Sequence, residues 1–233
     1  MRIMAALLHY FWFMLALLQL SEGKGSSYDE AYLRNALFSD YDKYMAPVGD
    51  DDGPVVVKQS LHFVKVVSLD NDVLIMQIWE FMKWRDTRLQ WDLNTFNIST
   101  LTVPSKWVWQ PDILLVDSLE EYSGFPSGDL LVTIYNDGNV IFIPPRIRKT
   151  DCVFSESDLF AQNSVTCSLK YMSWARSLVN LDLMIDSQPE VLNNDNQKWE
   201  VVETSAERNV KTYSCCPEGY VDITYKIQLK RIK

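Results

Sequence analysis

Histidine is nearly missing: the chain holds two in 233 residues, His9 and His62. A hydrolytic triad would have to use His62, which sits inside an apparent strand. No GxSxG elbow, HExxH pair, P-loop or Rossmann glycine pattern occurs. Acids are plentiful, but nothing in their spacing pairs two across a cleft. These absences count against an enzyme. Positive charge is also short, with 22 Lys and Arg against 31 Asp and Glu and a net charge of −9. That excludes nucleic acid, which asks for basic patches, and mildly favours a cationic partner through long-range steering. No internal repeat or low-complexity linker divides the chain.

What is present begins with "MRIMAALLHYFWFMLALLQLSEGKGSS". Arg2 is a charged start, Ile3 to Leu20 an apolar stretch, and Ser21 to Gly25 a small-residue exit. This reads as a signal peptide over residues 1–24, in preference to a short membrane anchor, and predicts a secreted, extracellular protein. No later stretch resembles a second span. Without residues 1–20 the charge becomes −10, 21 basic against 31 acidic. Four cysteines follow the leader: Cys152, Cys167, Cys215 and Cys216. An exported chain with an even count points to disulfides, with three pairings open. Zinc fits poorly, because the spacings are not CxxC pairs and only His62 remains.

Ser27-Tyr28-Asp29-Glu30 has the form of a capping box, with Leu33, Leu37, Tyr41 and Tyr44 at helical spacing and Pro47 beyond. One N-terminal helix is expected. From Val55 onward the pattern is β. "VVVKQSLHFVKVV" and "DVLIMQIWEFMKW" are joined by the polar "SLDND". Asp137-Gly138 separates two apolar segments, a strong hairpin signal. Val179, Leu181, Leu183 and Ile185 alternate with polar residues and Met184, and Val221 through Leu229 do the same at period two. One face buried and one wet is the meaning of that period, and several such strands point to a β-sandwich. Residues 25–233 therefore read as one domain.

Aromatics crowd the strand ends and turns: Trp79, Trp84, Trp91, Trp107, Trp109, Trp174, Tyr213 and Tyr220. Stacked Trp and Tyr faces attract cations at about 0.5–2 kcal/mol per contact. A quaternary ammonium nitrogen donates no hydrogen bond, so an aromatic cage suits it. Tyrosines flanking Cys215 and Cys216 fit a cage wall better than a core.

"TYSCCPEGY" closely resembles the C-loop of acetylcholine-binding proteins and nicotinic receptor α-type subunits. "WRDTRLQW" (84–91) is similar to their WxDxxLxW segment, "WQPDILLVD" (109–117) to WxPDxxxYN, and "SWARS" (173–177) to their B-loop. Cys152 and Cys167 resemble the pair that closes the family's signature loop. The resemblance covers most of the mature chain. It implies a mainly β fold: a twisted, immunoglobulin-like sandwich of about ten strands with one N-terminal α-helix. It implies disulfides Cys152–Cys167 and Cys215–Cys216 and a homopentamer; no cofactor and no metal is expected. The implied ligand is a small cation, acetylcholine or nicotine-like, held at subunit boundaries. By motif match the principal side is Trp174, Tyr213, Cys215, Cys216 and Tyr220. The complementary side is Trp79, five residues before WxDxxLxW, with Phe81, Thr133, Ile141 and Ile143.

Two departures shape the expectation. Val116 stands where the family's first loop carries a tyrosine, so one cage wall is lost and cation binding is expected to be weakened or altered. Ser155, Glu156, Ser157 and Asp158 replace an apolar stretch that channel subunits rest against their membrane domain. A soluble secreted binding protein is therefore expected, ahead of the extracellular domain of a pentameric ligand-gated channel. A lectin-like sandwich stacking sugars on tryptophans is the reading from another class. The sequon Asn97-Ile98-Ser99 is a candidate glycan site.

Overall fold

The computed structural model describes residues 27–49, 52–120, 130–152, 163–193 and 198–232. The leader and the polar tip Ser155–Asp158 lie outside these residues. Helix α1 (Ser27–Phe38) comes first. Strands β1 (Val55–Asp70) and β2 (Val73–Gln90) are followed by a one-turn helix α2 (Leu93–Phe96), β3 (Thr100–Pro104), β4 (Ile113–Leu115), β5 (Leu131–Tyr135), β6 (Asp137–Phe142) and β7 (Pro145–Asp151). Then come β8 (Ser164–Ser173), β9 (Leu181–Ile185), β10 (Glu190–Val191), β11 (Trp199–Tyr213) and β12 (Cys216–Arg231).

The strands form an eight-stranded sheet of order β10-β1-β2-β6-β5-β3, with β7 also on β2 and β9 also on β1, and a four-stranded sheet of order β11-β12-β8-β4. The expected sandwich is thus found, with twelve strands among the described residues where about ten were expected, because β9, β10 and β4 are short additions to longer neighbours. Alternation along β2 and β12 seats the core. Ile78, Trp84 and Leu89 of β2 share one core with Ile223, Tyr225 and Ile227 of the other sheet's β12, all at most 2 % exposed.

Turn chemistry follows the residues. Asn71 and Asp72 both have positive φ, 52° and 61°, the requirement of a type I′ hairpin. Gly138 has φ 83°, and a Cβ there would meet the Asp86 carbonyl oxygen at 2.6 Å, so glycine is required. Asp137 Oδ1 accepts from the Asn139 N–H at 3.0 Å, which holds the Asp137 carboxyl below its ordinary range.

The N-terminal helix is present but shorter than the tyrosine spacing predicts. It ends at Phe38, and Tyr41 and Tyr44 lie in the chain beyond it. The Tyr41 hydroxyl donates to Asp86 at 2.7 Å and accepts from the Trp109 N–H at 2.9 Å, contacts that hold Tyr41 in the connecting segment. Burial, then the nearby Asp86 charge, raises the Tyr41 pKa even though the Trp109 N–H opposes it. Asp86 also takes Arg88 at 2.7 and 2.8 Å. The acid of WRDTRLQW is therefore a fully buried anchor between β2, the post-helix segment and WQPD.

A second buried charge ties the sheets together. Glu80 of β2 accepts from Arg148 of β7 at 2.7 and 2.9 Å and from the Tyr171 hydroxyl of β8 at 2.8 Å. Burial disfavours the Arg148 charge, but the Glu80 carboxylate outweighs it and the Arg148 pKa is raised. Tyr171 is raised by burial and then by Glu80. Removing one partner of such a pair leaves the other buried and uncompensated. Glu80→Gln is expected to cost about 3 kcal/mol in urea unfolding, whereas Glu80→Leu with Arg148→Met is expected to stay within about 1–2 kcal/mol of wild type. Equal costs for the two variants would contradict this account.

Candidate functional site

The principal-side residues are placed by the small sheet. Strand β8 ends at Ser173, and Trp174 follows on a turn that Asp112 organises. Asp112 Oδ1 accepts from the Ser173 hydroxyl at 2.8 Å and Oδ2 from the Ala175 N–H at 2.7 Å. The Asp112 carbonyl accepts from the Trp174 N–H at 3.1 Å, and Ser173 Oγ accepts from the Arg176 N–H at 2.9 Å. Pairing of Ile113 with Ser173 sets β4 beside β8. The turn's polar groups are thereby satisfied, and the indole is left outside: Trp174 is 70 % exposed. An apolar ring held in water by a rigid turn is available to a partner.

The hairpin of β11 and β12 carries the rest. Tyr213 and Tyr220 pack ring to ring with centroids 5.7 Å apart at 71°. Cys215 and Cys216 are bonded to each other at the tip, and Cys152 is bonded to Cys167, as the resemblance implied. The Leu178 N–H donates to the Gly219 carbonyl at 2.8 Å, joining the segment after Trp174 to the hairpin. Trp174, Tyr213, Tyr220 and the vicinal cysteines thus occupy one end of the small sheet. Val116, at the expected tyrosine position, is half-exposed and bonds through its N–H to the Lys170 carbonyl at 2.8 Å.

The complementary-side residues lie on the outer face of the large sheet. On β2, Trp79 is exposed and Phe81 half-buried, while Ile78, Glu80 and Met82 between and beside them point inward. Thr133 of β5 lies opposite Ile141 of β6, and Ile141 lies opposite Lys83 of β2. Directly opposed residues share a face, so Thr133, Ile141, Lys83, Phe81 and Trp79 are on one surface, with exposed Ile143 following Ile141 by two. Among the described residues no ring contact joins this group to the principal one. The two groups expected from the sequence therefore lie on different sheets of the chain.

The structure also sorts the remaining tryptophans. Trp84 and Trp109 are 2 % and 3 % exposed and meet edge to face at 6.0 Å, and Trp91 is buried, so these are core. Sequence reasoning passed over Tyr135 and Lys83. Tyr135 is exposed two residues beyond Thr133 on the same face of β5, and Lys83 two beyond Phe81 on β2. Period-two counting from Thr133 and Phe81 would have found both. Asn97, the sequon residue, is an exposed helix cap with φ 47°. No helix among the described residues is long and apolar enough to cross a membrane.

A β-sandwich with an N-terminal helix, a vicinal disulfide at a hairpin tip and two groups of outward aromatics defines the class: a ligand-binding domain of the Cys-loop kind. The match is specific. Residues 30–233 match the family described as neurotransmitter-gated ion-channel ligand binding domain, and the chain belongs to it. It is 31 % identical over 221 residues to the neuronal acetylcholine receptor subunit alpha-6 of Mus musculus, covering 92 % of this chain and 44 % of that one. It is 30 % identical over 217 residues to the alpha-6 subunit of Rattus norvegicus (91 % and 43 %), and 29 % identical over 214 residues to the alpha-4 subunit of Homo sapiens (87 % and 33 %). The chain spans less than half the length of these relatives.

The Asp112 clamp yields a direct expectation. Asp112→Ala removes both acceptors, which should cost about 1–3 kcal/mol and speed hydrogen exchange at the Ala175 amide while β12 amides stay protected. An Ala175 amide that exchanges at its wild-type rate would remove Asp112 from this role.

Proposed function

We propose that this chain is the subunit of a secreted homopentameric binding protein for acetylcholine-like, nicotinic cations. The observation that carries the reading is the division of the aromatic groups. Trp174, Tyr213 and Tyr220 face outward from one sheet and Trp79 and Phe81 from the other, so head-to-tail association of copies would complete each half with its counterpart. Heterologous contacts of this kind generate a ring when the rotation between copies closes. The ammonium rests against Trp174, with Tyr213, Tyr220 and the next protomer's Trp79 as walls. The Cys215–Cys216 tip folds over it, excluding water and strengthening the cation–ring attraction. Val116 offers no ring, so the cage has one wall fewer than the family pattern. Asn97, the sequon residue, is exposed, in keeping with a glycan there.

The runner-up is the extracellular domain of a pentameric ligand-gated channel subunit, favoured by the relatives matched, of which this chain covers only 33–44 %. Four apolar spans in a full-length transcript would select it. Ligand chemistry is the same in both readings.

Calorimetry on the purified assembly tests the cage. A nicotinic amine is expected to bind, and Trp174→Ala to lose about 1–3 kcal/mol of affinity from ring charge and buried area together. The mass in solution is expected to be that of five copies. A monomer indifferent to quaternary amines, yet retained by glycans, would overturn the proposal in favour of a lectin.

A further inference from the structure

Helix α1 carries two aromatic rings that the core does not use. Leu33 is fully buried and Leu37 and Phe38 pack against the core, so these residues seat the helix. Tyr28 and Tyr32 are 85 % and 69 % exposed. Four residues apart, they share one face of the helix. Tyrosine is a weaker helix former than the Ala, Glu or Lys that usually fill an exposed helical position, so propensity does not account for them. Neither belongs to the two groups of aromatics assigned to the ammonium. Large apolar side chains grouped on a surface mark a contact, and the neighbouring chain shows with what.

The Tyr32 ring meets the Phe96 ring of α2 with centroids 5.9 Å apart, and Phe96 in turn packs against the core. Asn97 comes next. It is exposed, and it opens Asn97-Ile98-Ser99, the one Asn-x-Ser/Thr in the 233 residues. Consecutive Cα atoms lie about 3.8 Å apart, so the sequon begins beside the ring on which Tyr32 rests. The turn that presents it is fixed. Asp92 caps α2 by accepting from the Asn94 N–H at 3.0 Å, and the Asn97 N–H donates to the Leu93 carbonyl at 2.8 Å. Asn97 itself is left-handed, with φ 47°, and the Ile98 carbonyl accepts from the Trp91 indole N–H. Exposed Leu93, one turn before Asn97, widens the apolar patch.

We infer that Asn97 carries an N-linked glycan whose first N-acetylglucosamine lies flat on Tyr32, with Tyr28 extending the pad. This deepens the reading of an exported chain and rests on it. In the transfer, the Asn97 amide nitrogen bonds to C1 of a sugar supplied by a lipid-pyrophosphate-linked oligosaccharide. The C1–O bond to the pyrophosphate breaks, the lipid pyrophosphate leaves, and the amide gives up one proton. A pyranose presents a face of C–H bonds. Their weakly positive hydrogens meet the negative face of the tyrosine ring, and the contact removes apolar surface of both partners from water. The sugar hydroxyls, at the rim, stay in solvent. Held in this way, the glycan braces α1 against α2 across the Tyr32–Phe96 contact.

The test expresses the full chain in a eukaryotic host restricted to high-mannose glycans and trims it with an endoglycosidase to the innermost N-acetylglucosamine. Mass spectrometry is expected to show the leader removed and one N-acetylhexosamine on the Asn97 peptide. Proton–carbon correlation spectra are expected to show the ring protons of that sugar shifted upfield by the Tyr32 ring. Tyr32→Ser is expected to abolish the shift and Tyr32→Phe to keep it. The trimmed wild type is expected to melt roughly 2–4 °C above Asn97→Gln, a difference lost when both chains also carry Tyr32→Ser. Tyr32 is exposed, so its variants are expected to fold. Sugar protons at their free-sugar positions in the wild type, a shift that survives in Tyr32→Ser, or four chains that melt alike would overturn the inference. An unmodified Asn97 on a chain without its leader would overturn it and leave export standing. An unmodified Asn97 on a chain that keeps its leader would overturn export as well.

Discussion

Strand β2 serves two environments at once, and the rest of the molecule follows from that. Successive side chains of a strand point to opposite faces, so Glu80 enters the core while Trp79 and Phe81 on either side of it point out. Inward, Glu80 holds Arg148 and Tyr171 and so fixes the spacing of the two sheets. Outward, the same backbone presents a row of aromatic and basic side chains. A one-residue slip of β2 would put Trp79 into the core and Glu80 into water, losing the fold and the outward aromatic row together.

Strand β8 makes the same connection from the other sheet. Tyr171, bonded to Glu80, lies three residues before Trp174. Beyond Tyr171, control of the chain passes from the buried carboxylate to Asp112, which gathers the Ser173 hydroxyl and the amide of Ala175. A water-facing ring is thus positioned by hydrogen bonds on the strand behind it. The vicinal cysteines have a comparable role at the hairpin tip, where two bonded sulfurs stiffen the end of a ribbon whose tyrosines already pack on each other.

Much of this was readable from residue order. The alternation of Val221 to Leu229, the Asp137-Gly138 turn and the polar link at Asn71-Asp72 gave strands and hairpins, because period and turn chemistry are local properties. The helix was legible in existence and not in length: Tyr41 continues the helical spacing, but its hydroxyl is claimed by Asp86 and Trp109, 45 and 68 residues away. Tryptophans were counted alike in the sequence, and only packing separated buried Trp84 and Trp109 from exposed Trp79 and Trp174.

By itself the sequence determined the class of fold and the family, since motif order and alternation are written along one dimension. Tertiary structure decided the rest. It put the two groups of outward aromatics on different sheets, buried Asp86 and Glu80 as anchors, and set Lys83 between Ile141 and Lys58. Those relations are made across strands, between residues 25 to 91 positions apart, and no local pattern encodes them.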